Sequence, residues 1–80
     1  MSKHTIEIAQ SYAYEAWNQT DHADKLVQNA RAELDGGDVN LGAVLDWFGE
    51  AAVAAELARH NIRSAITYLE ALRDEEPAGG

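Results

Sequence analysis

Eighty residues without a cysteine limit this chain to one domain that neither disulfides nor thiolate metal sites can staple, which fits a reducing, cytoplasmic compartment. Fourteen acidic residues against six basic ones give a formal charge of −8, which argues against direct binding to nucleic acid or to an anionic membrane. No apolar run approaches the roughly 20 residues of a membrane span, and the opening segment MSKHTIEIAQ lacks the apolar stretch of a signal peptide.

Hydrophobic spacing predicts an all-α fold, a compact bundle of about four short helices over residues 1–76, followed by a flexible tail at 77–80. The first helix is predicted near residues 5–18. Thr5 is its N-cap and Glu7 sits in the first turn, where the helix dipole favours a carboxylate. Ile6, Ala9, Tyr12, Ala13, Ala16 and Trp17 form its apolar stripe, and Asn18-Gln19-Thr20 reads as a turn. The second helix is predicted near residues 21–35, capped by Asp21 with Asp24 in the first turn. Its stripe is Ala23, Leu26, Val27, Ala30 and Leu34, and Gly36 suits the left-handed residue that follows a helix.

The third segment opens at Asn40, a further N-cap, and its stripe runs Leu41, Val44, Leu45, Phe48, Ala52 and Ala55. The same spacing continues through Ile62, Ala65, Ile66, Leu69 and Leu72. Two arrangements follow: one helix of about thirty residues, or helices near 40–59 and 62–75 with a tight turn at Arg59-His60-Asn61. Residues Leu57 to Ala65 resemble the inter-helix turn of tetratricopeptide hairpins, with His60 standing where that family has glycine. The resemblance implies a helical hairpin, and four short helices fill a small domain better than a projecting rod does, so the turn is preferred. The expected core is Leu26, Val27, Leu34, Phe48, Ile62, Ile66 and Leu69.

Motifs for catalysis or metal binding are scarce. Glu56 and His60, and Asp46 and Glu50, stand four residues apart, but no HExxH occurs and neither pair lies in an apolar stripe. Ser2, Ser11 and Ser64 lie in no nucleophile elbow, and Ser64 is one turn from His60. No serine has the Asp-Ser-Leu setting of an acyl carrier, and Gly36-Gly37 lacks the lysine of a phosphate loop. The expectation is no enzyme, no metal and no cofactor.

Surface patterning is more informative. On a helical wheel Asp46, Glu50, Val53 and Leu57 share the face opposite Phe48, and Trp47 lies at the edge of the stripe. The Val53/Leu57 strip serves either a partner or burial within a helix surrounded on all sides. Glu33, Asp35 and Asp38 surround the Gly36-Gly37 turn, and Glu70, Asp74, Glu75 and Glu76 close the chain. Carboxylates on rigid helices either stay solvated or imitate DNA phosphates before a basic groove. Asp35, Asp38, Asp46 and Glu50, with Trp47, Val53 and Leu57, are the expected partner contacts.

In its small size, acidic balance, lack of cysteine and motif-poor helices, the chain resembles small acidic phage-encoded inhibitors of the anti-CRISPR kind. The resemblance implies a DNA mimic that blocks a basic nucleic-acid-binding protein, such as a Cas subunit, in the host bacterial cytoplasm. It would act stoichiometrically, as a monomer or weak dimer. The alternative is a helical adaptor or homo-oligomerisation module that uses the Val53/Leu57 strip.

Overall fold

The structure is a computed structural model that describes the backbone of residues 2–75 and the side chains of 3–74; the expected tail at 77–80 and the acidic Glu76 lie outside the described residues. All-α is correct, but four helices are not. Two long helices, α1 (Ser2–Asp35) and α2 (Leu41–Glu75), fold back on each other as a hairpin of 61 × 17 × 16 Å.

The reason is a heptad repeat that never breaks phase within either helix. Counting Ala9 of α1 and Val44 of α2 as position a, positions a and d of α1 are Thr5, Ala9, Tyr12, Ala16, Gln19, Ala23, Leu26, Ala30 and Glu33. Those of α2 are Val44, Trp47, Ala51, Ala54, Ala58, Asn61, Ala65, Tyr68 and Leu72. All of them are buried or half-buried apart from Tyr68, whose ring stacks on that of Tyr12 with centroids 5.8 Å apart. A strict a/d stripe is the signature of a coiled-coil seam.

The two expected interior turns are therefore continuous helix. Asn18-Gln19-Thr20 and Arg59-His60-Asn61 contain neither Gly nor Pro, so the intrinsic penalty for staying helical is only about 0.5 kcal/mol per residue. Thr20 hides its hydroxyl by donating from Oγ1 to the Ala16 carbonyl at 2.8 Å. Gln19 and Asn61 point into the seam, where Asn61 Nδ2 donates to Gln19 Oε1 at 2.8 Å. Asn61 is thus a cross-helix partner rather than a cap. Asp21 and Asp24 are mid-helix residues too: Lys25 Nζ lies 3.2 Å from Asp21 Oδ2, and Gln28 Nε2 donates to Asp24 Oδ2 at 2.8 Å. Thr5 falls inside α1, which begins at Ser2.

Among the described residues the one turn is 36–40. Gly36 N–H donates to the Glu33 carbonyl at 3.1 Å, without the left-handed backbone expected of it. A Cβ at Gly36 would approach that carbonyl oxygen to 3.3 Å, so close approach is what favours glycine here. Asn40 caps α2 as expected: its Oδ1 accepts from Ala43 N–H at 3.1 Å. Its own N–H donates to Glu33 Oε2 at 3.3 Å, which ties the cap to the end of α1.

The core differs most from expectation. The buried hydrophobic residues are Ala9, Ala16, Leu26, Ala30, Val44, Ala51, Ala54 and Ala58, six of the eight being alanine. Of the expected core only Leu26 is among them; Val27, Leu34, Phe48, Ile62, Ile66 and Leu69 are exposed. A hairpin has a single seam, which small residues let close tightly. The larger residues beside that seam have no second neighbour to bury them.

Candidate functional site

Two broad sides of the hairpin flank the seam. In an antiparallel pair the e positions of both helices line one side, with b beyond them, and the g positions line the other, with c beyond. The surface agrees. One open groove of about 630 Å³ has Thr20, Ala55 and Ile62 (e), Arg59 and Ile66 (b) along it, with Ala23 and Ala58 from the seam and Arg63, Thr67 and Glu70 at its rim on the outward face of α2. A second, of about 500 Å³, lies among His22, Glu50 and Leu57 (g), Asn18 and Val53 (c), with Gln19 and Ala54 from the seam.

The e/b side carries two uncharged, largely apolar e rows along its whole length. Its e positions read Ile6, Ala13, Thr20, Val27 and Leu34 on α1, and Leu41, Phe48, Ala55, Ile62 and Leu69 on α2. Its b positions add Trp17, Leu45 and Ile66. Ten of the fifteen large hydrophobic side chains that the hairpin exposes fall here, including Trp17, Leu41 and Leu45 at 67–69 % exposure. Off the seam, the half-buried residues Ile8, Ala43 and Ser64 all occupy g, whereas every e position is exposed.

Charge is divided the same way. No e position carries a charge, and the b positions carry Lys3, Arg31, Arg59 and Arg73 against Asp24 alone. The remaining acids of the described helices lie at c, d, f and g. This asymmetry is invisible in the net charge of −8.

The partner contacts expected from sequence are scattered among these surfaces. Asp46, Glu50, Val53 and Leu57 do share one side, c and g of α2, and Val53 is 62 % exposed, so α2 is not buried all round. Trp47 instead occupies a seam position and is half-buried. Asp35 sits at an outward f position of α1 with Arg31 Nε 3.9 Å from its Oδ2, and Asp38 belongs to the turn. Of the expected quartet, only Asp46 and Glu50 occupy one helical face.

The main apolar side went unrecognised in the sequence because its residues were assigned to a core. The signal was present: the stripes spanned three to four positions per heptad, wider than a two-helix seam uses.

Glu56, Arg59, His60 and Arg63 surround a shallow groove on α2. Among the described residues no group of three or more His, Cys, Asp or Glu is placed to hold a metal ion, and no helix is long and apolar enough to cross a membrane. No protein-family model, curated protein or solved structure matches the chain.

Proposed function

We propose that this protein is a non-catalytic interaction module that works by presenting the e/b side of its hairpin to another helical surface. The observation that carries the reading is the concentration of ten large exposed hydrophobic side chains on one side, seven of them in the two e rows, which are free of charge. Contiguous apolar patches on small proteins mark binding sites, and a row of apolar residues along a helix fits another helix. Acidic c, f and g positions on the outer surfaces keep such a module soluble.

The test is site-resolved photo-crosslinking. A benzoylphenylalanine at Leu45 on the e/b side should give protein adducts in cells, and one at Val53 on the g/c side should not. Absence of any adduct from Leu45 defeats the reading.

A second reading keeps the inhibitor suggested by the resemblance to anti-CRISPR proteins. Asp46 and Glu50 share a face away from the apolar side, and they would meet a basic groove such as that of a Cas subunit. In that case adducts form from Val53, and binding weakens steeply with salt. An apolar helical contact is nearly indifferent to salt.

A further inference from the structure

We infer that the occupant of the e/b side is a second copy of this chain, docked about a two-fold axis to close a four-helix bundle; this rests on the interaction-module reading above. Three observations converge on it.

The first is area. A folded monomer of 8.7 kDa is expected to expose about 4,700 Å². The whole chain, both ends included, exposes 6062 Å². The excess is about 1,300 Å² per chain, and two copies that buried it would share an interface of about 2,600 Å² in total, within the range of obligate homodimers.

The second is the width of the stripe. Positions a and d are used up by the intramolecular seam, and six of the eight hydrophobic residues buried in the hairpin are alanines, which contribute little apolar area each. Apolar e positions in both helices add the third position per heptad that a helix needs in a four-helix bundle, where it packs against two neighbours. The seam joins the two helices of one chain, and the e stripes are placed to join two hairpins.

The third is self-complementarity, which a two-fold contact demands because the same patch appears on both partners. Like charges at its centre would make such a patch repel itself, whereas the e stripes at the centre of this side carry none despite the net charge of −8, and the charges of the b positions (Lys3, Asp24, Arg31, Arg59 and Arg73) stand at its rim. Shape matches as well. Near mid-length the side is hollow, floored by Thr20, Ala23, Ala55 and Ala58, and one turn before Thr20 stands Trp17 at 67 % exposure. A two-fold axis through the middle of the hairpin carries the Trp17 ring of each copy towards the hollow of the other.

Sedimentation equilibrium and thermal melts across about 1 to 200 µM test this directly, because association couples stability to concentration. The expected mass is twice 8.7 kDa, with a melting temperature that rises with concentration. Ile62→Glu on the e row should shift the protein to monomer or unfold it, and Trp17→Ala should raise the dimer Kd at least about tenfold. Val53→Glu on the opposite side should leave the mass unchanged. A folded 8.7 kDa species with a concentration-independent melt overturns the proposal, as does a larger closed assembly, or a dimer broken by Val53→Glu and indifferent to Ile62→Glu. A monomer that nevertheless gives Leu45 adducts with a different protein refutes the second copy and leaves the interaction module standing.

Discussion

The Gln19–Asn61 hydrogen bond is the sharpest place to probe the seam. It is a side-chain hydrogen bond between the two helices, 2.8 Å long and half-buried in a seam otherwise composed largely of small apolar residues. A net amide hydrogen bond contributes about 1 kcal/mol, and orphaning one buried partner costs about 1–3 kcal/mol. Both amides are only half-buried, so Gln19→Ala or Asn61→Ala alone should cost near the lower end, about 1–1.5 kcal/mol. That corresponds to a fall of roughly 4–10 °C in a domain of this size. The double variant should cost less than the two singles together by about 0.5–1.5 kcal/mol, the coupling energy of the pair. The assay is a double-mutant cycle by urea denaturation with all four proteins at one concentration. Additivity within about 0.3 kcal/mol would refute the idea that the two amides act on each other.

Replacing both residues by leucine separates stability from register. A polar pair at seam positions costs stability and holds the alignment of the helices, because any slip by a heptad separates the two amides and sets Asn61 level with Tyr12 or Leu26 and Gln19 level with Ala54 or Tyr68. The double leucine variant should therefore melt higher. It should also lose the uniqueness of the Tyr12–Tyr68 stack, seen as weakened nuclear Overhauser contacts between the two rings. A variant that melts higher and keeps the full ring contact would show that alanine packing alone sets the register.

Three further outcomes are expected. Asn40→Ala removes the side-chain cap on Ala43 N–H and should destabilise by about 1 kcal/mol, read as a lower urea midpoint with unchanged slope. Gly49→Ala should stabilise by about 0.5–1 kcal/mol, since a Cβ there meets nothing within 4 Å and glycine is a poor helix former; an unchanged or lower melting temperature would count against α2 being continuous there. Ala30→Leu places an isobutyl group where the residue is 0 % exposed, and should destabilise by about 1–3 kcal/mol through overpacking, again measured by urea denaturation.

By itself the sequence determined the helical class, a break at Gly36-Gly37-Asp38 and the Asn40 cap, because each depends on local chemistry: propensity, glycine and a side-chain acceptor three residues from an open N–H. It also carried the heptad phase. From Tyr12 through Ala16, Gln19 and Ala23 the 3–4 spacing passes straight over the supposed first turn, and from Ala54 through Ala58, Asn61 and Ala65 over the second. Polar residues at those points look like punctuation when hydrophobicity alone is followed, and only pairing across the seam turns Gln19 and Asn61 into interior residues. Tertiary structure alone decided which apolar residues are buried. Ala30 and Val27 belong to the same stripe, yet one is fully enclosed and the other 42 % exposed. Burial depends on how many neighbours a helix has, and periodicity along a chain fixes the direction a side chain points without fixing what stands in front of it.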